Sequence, residues 1–313
     1  MREQVYIREV GPRDGLQMAK IILSAEKKLE WCKAVAAAGI REIEVTSFVP
    51  PAVLPQFADA AEVARGALLI GDLRPSVLVP NLKGAEIALA LGMPVIAYVV
   101  SASEAHNLAN VRRSTQESLA DFARIVAARD AAPGPRAILV GCIATAFGCT
   151  IQGIVSERRV SEIAERYAEI GADEIVVADT VGYGDPGAVR RVVKSVIAAT
   201  SPRRIACHFH DTRGLGLANV TAAVDVGVRA FDASLGGLGG CPFAPGATGN
   251  IDTEDTAFLL EQLGFDTGVD LNAIVAVRRR LEEWLPQEQF SGAIARAGLP
   301  KTYRVGRGGS SGG

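Results

Sequence analysis

The sequence predicts an α/β fold, namely a (β/α)8 barrel (a TIM barrel) with a C-terminal helical extension. Three observations predict it. The chain contains eight strand-length apolar runs, helical sequence separates them, and the runs are almost continuously apolar, as in parallel strands covered on both faces. A doubly wound open sheet is the alternative. Because no Gly-x-Gly-x-x-Gly follows the first run, the barrel is favoured.

The predicted strands recur along the whole chain. They are Val5–Val10, Glu42–Phe48, Pro75–Val79, Val95–Val99, Ala137–Ile143, Glu174–Ala178, Arg204–Phe209 and Ala230–Ala233. A glycine precedes four of them, at Gly39, Gly92, Gly171 and Gly227. Glycine adopts the left-handed conformation that commonly ends a helix, so a helix is expected to end at each of these positions.

The helices between the strands are expected to be amphipathic. Ser24 is a preferred N-cap residue and marks the start of the first helix. The buried stripe of that helix is predicted at helical spacing, on Leu29, Cys32, Val35 and Ala36. Its apolar side is therefore expected to pack on the barrel.

The chain is expected to form one catalytic domain over residues 1–285, followed by a C-terminal extension over residues 286–313. A capped helix begins at Asp252 and Thr253, runs through Leu263 and ends at Gly264. A further helical stretch, at about 270–285, covers or extends the barrel. The tail from about residue 306 is rich in Gly and Ser and is expected to be disordered.

The composition bounds the class of protein. A chain of 313 residues, 49% of them hydrophobic, can bury a large core. A formal charge of −2 gives no electrostatic basis for binding nucleic acid or an anionic membrane, so neither is expected as a partner. Five cysteines without a Cys-x-x-Cys pair fit reduced thiols. With no signal-peptide pattern and no membrane-spanning apolar run, a cytoplasmic location is expected.

Two of the three histidines, His208 and His210, stand at the end of the seventh predicted strand. Residues i and i+2 of a strand point to the same face, about 6–7 Å apart. Two interpretations stay open: the imidazoles only satisfy hydrogen bonds, or they bind one divalent metal ion. His208 is also a candidate catalytic residue.

Further polar residues follow other strands, and chemistry in a barrel collects at the carboxyl ends of its strands. Asp14 alone would be read as a solvated turn carboxylate. With the two histidines and the Asn250 amide, it forms a mixed oxygen and nitrogen set suited to an octahedral divalent ion. Arg13 then places a fixed cation beside the metal, which is useful for stabilising an oxyanion or enolate.

Glu44 and Asp179 each admit two interpretations. They either orient the metal ligands or lie inside the barrel as carboxylates paired with Arg13. A role at the site is favoured, because an unpaired carboxylate inside a barrel is costly. Cys241 lies in a loop with six glycines, residues 236–250. That loop is either a surface loop with an incidental thiol or a mobile lid that brings Cys241 to the barrel mouth as a proton donor or nucleophile.

Several motifs together resemble the 3-hydroxy-3-methylglutaryl-CoA lyase family. They are Gly11-Pro12-Arg13-Asp14-Gly15-Leu16-Gln17, Glu44-Val45-Thr46-Ser47-Phe48, Pro80-Asn81-Leu82-Lys83-Gly84, His208-Phe209-His210-Asp211-Thr212 and the loop 236–250. The resemblance runs from about residue 5 to residue 285. Metal-dependent barrel lyases and Claisen-type synthases share the Arg-Asp and His-x-His elements. The cysteine loop favours the lyase branch.

The resemblance implies a metal-dependent retro-Claisen cleavage of 3-hydroxy-3-methylglutaryl-CoA, or of a close 3-hydroxyacyl-CoA, to acetyl-CoA and a 3-oxo acid (acetoacetate). It implies that Mg²⁺ or Mn²⁺ is held by Asp14, His208, His210 and Asn250. By the same likeness Arg13 stabilises the enolate oxygen, Cys241 delivers a proton to carbon, and Glu44 and Asp179 support the metal ligands or a proton relay. It also implies a homodimer with an acyl-CoA substrate.

One segment departs from the family pattern. Family members usually carry Ser-Cys-x-x-Gly-Cys-Pro-Tyr/Phe-Glu-Gly after the fifth strand, whereas this chain has Ala144 to Gly153 with only Cys149 and both glycines kept. The change is either neutral or marks a substrate with a different 3-substituent. A synthase or aldolase of the same superfamily and a non-catalytic barrel stay as alternatives. Candidates for the CoA phosphate are Lys83, Arg112 and Arg113. His106 either lies near the barrel mouth after the fourth strand or is a plain surface histidine, which is the more common case.

Overall fold

The computed structural model describes residues 2–240 and 249–303. Its eight strands form one closed barrel in chain order, and every neighbouring pair is parallel. The strands are β1 (Tyr6–Glu9), β2 (Glu42–Ser47), β3 (Arg74–Val79), β4 (Val95–Ser101), β5 (Ile138–Ala144), β6 (Glu174–Asp179), β7 (Arg204–Phe209) and β8 (Ala230–Ala233). All eight lie where the apolar runs predict them, and the predicted (β/α)8 barrel is confirmed.

Helices connect the strands and surround the barrel. They are α1 (Ala25–Ala37), α2 (Ala60–Ala67), α3 (Leu82–Ala90), α4 (Glu104–Val111), α5 (Thr115–Ala131), α6 (Glu157–Ile170), α7 (Pro186–Thr200), α8 (Gly216–Asp225), α9 (Thr253–Gln262), α10 (Leu271–Trp284) and α11 (Ile294–Ala297). Short helical turns occur at Gly11–Gly15, Pro55–Phe57 and Leu235–Gly237. The first and last of these turns follow β1 and β8, so they lie at the mouth of the barrel.

The first helix shows how the local sequence sets the packing. Ser24 caps α1 by accepting a hydrogen bond from the backbone N–H of Lys27, as predicted. Cys32 and Val35 are fully buried, whereas Leu29 is only partly buried. Lys28 is also buried, because its Nζ donates hydrogen bonds to the Gln56 carbonyl and to Asp59. Sequence periodicity alone did not predict this buried lysine.

The interior of the barrel combines apolar and charged layers. A small apolar cluster fills part of it, made of Val95, Ala97, Val140, Val176, Ala206 and Ala230. Buried ion pairs of Arg8 with Asp232 and Glu174 fill another part, and they continue to the partly buried Glu42, Arg74 and Arg204. Because each buried charge has a partner of opposite sign, the barrel tolerates them despite the cost of removing charges from water.

The chain after α10 packs against the start of the glycine-rich loop. Ser291 donates its backbone N–H to the Gly236 carbonyl at 2.7 Å. The Asp255 carboxylate of α9 accepts the backbone N–H groups of Ala293 and Ile294. The predicted domain boundary at residue 285 stays a prediction, and the tail expected to be disordered from residue 306 lies outside the described residues.

The described cysteines and helices bear on two further expectations. Cys32, Cys142, Cys149 and Cys207 are free thiols. Burial raises the pKa of Cys32 to about 12, so this thiol is protonated at neutral pH. Among residues 2–240 and 249–303, no helix combines the length and apolar character needed to cross a membrane.

Candidate active site

The turn after β1 presents Arg13 and Asp14 at the barrel mouth, and Glu9 holds this turn in place. The fully buried Glu9 carboxylate accepts the backbone N–H of Gly11 at 2.9 Å, the backbone N–H of Leu235 at 3.0 Å and the hydroxyl of Thr253 at 2.7 Å. A Cβ atom at Gly11 would lie 2.4 Å from Glu9 Oε1, so any other residue there would displace the Glu9 side chain. Burial raises the pKa of Glu9 to about 7.

The structure brings Asp14, His208 and His210 together. His208 belongs to the carboxyl end of β7, and His210 follows two residues later on the same face. The two Nε2 atoms are 3.1 Å apart. Asp14 Oδ2 lies 4.0 Å from Nε2 of His208 and 3.8 Å from Nε2 of His210.

This geometry fits a divalent metal ion. Each of the three side chains offers one ligand atom, and these atoms all lie within 4.8 Å of one another. Ligands at about 2.1 Å from an octahedral metal are themselves about 3 Å apart when adjacent and about 4 Å apart when opposite. The three separations lie in that range. Nδ1 of His210 is buried and has no hydrogen-bond partner among the described residues, whereas Nε2 is the ring nitrogen that faces His208 and Asp14.

A backbone bridge to His210 places Asn250 beside the cluster of Asp14, His208 and His210. Asn250 forms an antiparallel bridge with His210, because the Asp211 N–H donates to the Gly249 carbonyl and the Ile251 N–H donates to the Phe209 carbonyl. Its amide nitrogen donates to Asp14 Oδ2 at 2.8 Å and to the Leu238 carbonyl at 3.1 Å. The amide oxygen is buried without a partner among the described residues. In this arrangement Asn250 faces Asp14 with nitrogen, so a ligand role for its oxygen requires the amide to turn.

Arg13 lies between two carboxylates. Its Nε donates to Glu44 Oε2 at 2.5 Å and its Nη1 donates to Asp14 Oδ1 at 2.6 Å. Burial opposes ionisation of Asp14, but Arg13 and the two histidines outweigh it and hold the pKa of Asp14 well below its usual range. Burial raises the pKa of Glu44 despite the opposing charge of Arg13. Two interpretations were open for Glu44. The contact observed is the one of the second interpretation, an ion pair with Arg13.

Asp179 ends β6 and makes different contacts. Its two carboxylate oxygens accept the backbone N–H groups of Tyr183 at 2.8 Å and Gly184 at 2.9 Å. Burial raises the pKa of Asp179, and these two hydrogen bonds oppose that rise. Asp179 therefore shapes the loop between β6 and α7. The structure does not pair it with Arg13.

A cavity of about 270 Å³ opens beside these residues at the barrel mouth. Arg13, Asp14, His208 and His210 line one part of it, and apolar side chains line the other: Val49, Val53, Leu54, Leu78, Val79, Val99 and Val111. Ala144, the first residue of the divergent segment, lines the cavity as well. The described residues reach Gly240 at its edge. Cys241, the predicted proton donor, lies outside the described residues.

Of the two interpretations for His106, the structure has the one near the barrel mouth, and the surface interpretation is wrong. His106 is buried, lines the cavity, and its Nδ1 is 2.7 Å from the hydroxyl of Ser101. The reason is that α4 follows β4 directly and turns this side chain inward at its first turn. Burial lowers the pKa of His106, which favours the neutral ring.

Sequence reasoning also missed Asp232 and Arg8. Asp232 Oδ2 is 3.3 Å from Nδ1 of His208, and Asp232 Oδ1 accepts a hydrogen bond from Arg8 Nε at 2.7 Å. The available signal was a charged residue within a short strand: Asp232 is the one charged residue of β8, and Arg8 stands next to Glu9 in β1.

A family model described as HMGL-like matches residues 4–281. The chain belongs to the HMGL-like family. It is a carbon–carbon lyase. The lyases of this family depend on a divalent metal, and Asp14, His208 and His210 form a possible metal site.

Individual relatives cover most of the chain. The cytoplasmic 3-hydroxy-3-methylglutaryl-CoA lyase of Rattus norvegicus is 40% identical over 87% of this chain and 79% of its own length. An (R)-citramalyl-CoA lyase of Chloroflexus aurantiacus is 41% identical over 90% of both chains. A solved HMG-CoA lyase of Acinetobacter baumannii, in complex with coenzyme A and 3-methylmalate, is 40% identical with a TM-score of 0.90, covering 96% of this chain and 97% of its own.

Proposed function

We propose that this protein cleaves 3-hydroxy-3-methylglutaryl-CoA to acetyl-CoA and acetoacetate in a retro-Claisen reaction that requires Mg²⁺ or Mn²⁺. One observation carries the proposal. A cluster of ligand atoms suited to a divalent ion, on Asp14, His208 and His210, lies beside an arginine whose Nη1 contacts Asp14, all at the mouth of a barrel with a cavity for an acyl group. Relatives named as lyases of this thioester support the choice of substrate.

The reaction needs four things from the site. A proton leaves the tertiary hydroxyl, the C2–C3 bond breaks, negative charge collects on the thioester oxygen as an enolate, and carbon C2 takes a proton. A divalent ion, when bound, supplies positive charge that makes a coordinated hydroxyl more acidic. The side chains that would hold it are Asp14, His208 and His210, with the Asn250 amide next to them.

Arg13 is the residue proposed to stabilise the enolate oxygen. The hydrogen bonds described above use its Nε and Nη1, and its Nη2 carries two further N–H donors. Because Glu44 and Asp14 fix the guanidinium from two sides, its donors are oriented before the charge develops. Such a fixed donor stabilises the transition state without reorganising during the reaction.

Two further groups complete the proton path. Glu44 is proposed to take part in the proton relay from the hydroxyl, since burial raises its pKa and a less acidic carboxyl holds a proton better. Asp179 fits that role less well, because both of its oxygens accept backbone N–H groups. Cys241 is proposed to deliver the proton to carbon C2, as the family resemblance implies.

A second candidate substrate is (R)-citramalyl-CoA. A relative named as the lyase of that thioester is as similar to this chain as those named for 3-hydroxy-3-methylglutaryl-CoA. In addition, Ala144 lines the cavity where the family pattern has a serine hydroxyl. Loss of one hydroxyl from the cavity wall changes which polar substituent on C3 finds a partner.

A substrate panel tests the proposal. Acetyl-CoA release is measured from both thioesters with Mg²⁺ or Mn²⁺, in the natural chain and in Ala144→Ser. We expect the larger kcat/KM with 3-hydroxy-3-methylglutaryl-CoA, and a change in the ratio of the two kcat/KM values in Ala144→Ser. A larger kcat/KM with (R)-citramalyl-CoA would make that thioester the preferred substrate instead. Metal binding without cleavage of either thioester would overturn the proposed reaction.

The remaining expectations stay predictions. They are a cytoplasmic location, a homodimer, the choice between Mg²⁺ and Mn²⁺, and contacts of the CoA phosphate with Lys83, Arg112 or Arg113. For the last, Arg113 Nη1 already pairs with Asp121 at 2.8 Å. Lys83 and Arg112 are therefore proposed as the better candidates.

A further inference from the structure

Three charged or ionisable side chains stand side by side on three neighbouring strands. Arg8 of β1 is the register partner of Asp232 of β8, and Asp232 is in turn the register partner of His208 of β7. Register partners on neighbouring parallel strands point to the same side of the sheet, and here that side is the barrel interior, where all three side chains line the cavity. The three side chains therefore meet inside the barrel, directly below the Asp14 cluster.

Their contacts form a chain. Arg8 Nε donates to Asp232 Oδ1 at 2.7 Å, and the other carboxylate oxygen, Oδ2, lies 3.3 Å from Nδ1 of His208. All three residues are at least nine-tenths buried. On the opposite edge of the ring, Nε2 of His208 faces Asp14 and His210.

We infer that Asp232, anchored by Arg8, is a positioning residue that fixes the orientation and tautomer of His208. Asp232 accepts the Nδ1–H proton, which leaves the lone pair of Nε2 directed at the site between Asp14 and His210. The inference rests on the metal site of the proposed function. Carboxylates behind metal-binding histidines commonly have this effect, since they fix the ring and make it a better donor.

The ion pairs around Arg8 show that Asp232 is not needed merely to neutralise it. Arg8 Nη1 also lies 3.1 Å from Glu174 Oε1, so Arg8 keeps an anionic partner without Asp232. Glu174 is shared with Arg204, which itself pairs with Glu42. Asp232 is the carboxylate of this network that contacts a histidine of the cluster.

The second histidine lacks this support. Nδ1 of His210 has no hydrogen-bond partner among the described residues, whereas Nδ1 of His208 faces a carboxylate. The two rings are therefore held by different means. His208 is fixed from behind by Asp232, and His210 is fixed through its backbone bridge to Asn250.

The tautomer of His208 gives a direct test on the natural chain. The protein has three histidines, so ring ¹⁵N spectra after histidine labelling contain few signals, and His208→Gln assigns one set. We expect the neutral His208 ring to carry its proton on Nδ1, both without metal and with Mg²⁺. A neutral ring protonated on Nε2 would overturn the inference.

Metal affinity gives the second test. Mn²⁺ binding, followed by the electron paramagnetic resonance signal of free Mn²⁺, is expected to weaken about 10–100-fold in Asp232→Asn. The matched control is Glu42→Gln, which removes another barrel-interior carboxylate that pairs with arginines and does not contact His208. The control is expected to bind Mn²⁺ within about twofold of the natural chain, a difference too small for the loss of a supporting residue.

Both readouts separate this inference from the proposed reaction. If Asp232→Asn fails to fold, the double variant Arg8→Met/Asp232→Asn removes both charges and is measured instead, with the same expected loss of affinity. A folded variant, shown by circular dichroism, whose Mn²⁺ affinity matches that of the control would overturn the inference. A protein that binds Mn²⁺ as expected but cleaves no thioester would overturn the proposed function alone.

Discussion

Replacing Glu9 with glutamine is expected to remove a pH-dependent loss of unfolding free energy. Glu9 holds the turn that carries Arg13 and Asp14. Glu9 is fully buried, and it is held by Gly11, Leu235 and Thr253. Glutamine can preserve these contacts, because its oxygen accepts the two backbone N–H groups and its nitrogen donates to the Thr253 hydroxyl. The substitution therefore changes charge with little change in shape.

The sign and size of the effect follow from the pKa of Glu9. Burial raises this pKa from 4.5 to about 7, so the folded state holds the proton more tightly than the unfolded state. Well below pH 4.5, Glu9 is protonated in both the folded and the unfolded state, so it does not lower the free energy of unfolding. As the pH rises through the folded pKa, the natural chain loses up to about 3 kcal/mol of unfolding free energy, and above it the loss is constant.

Urea unfolding of both proteins between about pH 5 and about pH 8.5 measures this effect. The unfolding free energy of Glu9→Gln minus that of the natural chain should increase by about 2–3 kcal/mol across the window. Glu42→Gln is the control, since burial is outweighed there by Arg204, Arg8 and Arg74, which lower the pKa of Glu42. Its difference from the natural chain should stay flat, because that stabilisation is lost only at lower pH. A flat difference for Glu9→Gln would refute the reasoning.

Four further predictions concern the site. Arg13→Gln should lower kcat for 3-hydroxy-3-methylglutaryl-CoA about 10²–10³-fold, because a fixed donor to the enolate is lost; a kcat near that of the natural chain would remove Arg13 from the mechanism. Cys241→Ala should lower the same kcat about 10²-fold or more if the thiol delivers the proton. Gly11→Ala should destabilise the fold by about 1–3 kcal/mol in urea unfolding, since its Cβ meets Glu9 and Trp31. A chelator should stop acetyl-CoA release and added Mg²⁺ or Mn²⁺ should restore it; activity that survives the chelator would exclude a metal role.

The fold could be predicted because the central strands β4, β5 and β6 are nearly uninterrupted apolar runs and the other strands recur between helical segments. Such runs are expected only where both faces of a parallel sheet are covered, and glycine marks the helix ends between them. The barrel then predicts which residues meet, because the carboxyl ends of all strands open at one mouth. Asp14 and His208 are far apart in sequence, yet this rule places them together, and the structure does so.

Residues whose role depends on register could not be predicted. Asp232 reaches His208 because β7 and β8 pair at those two positions, and sequence alone does not give the pairing register. The contact of Asn250 through nitrogen rather than oxygen depends on the Leu238 carbonyl, which lies in a loop without periodic sequence. Asp179 could be placed at a strand end. The backbone N–H groups that donate hydrogen bonds to it belong to a turn that no sequence motif predicts.

The central claim is that the Asp14, His208 and His210 cluster binds the divalent ion required for C2–C3 cleavage. One titration tests it most directly: Mn²⁺ binding and acetyl-CoA release from 3-hydroxy-3-methylglutaryl-CoA, measured on the same samples of the natural chain and of His210→Ala. The account predicts that acetyl-CoA and acetoacetate form in equal amounts, that their rate follows Mn²⁺ occupancy, and that the variant loses both binding and cleavage. Cleavage that persists in a variant unable to bind Mn²⁺ would contradict it.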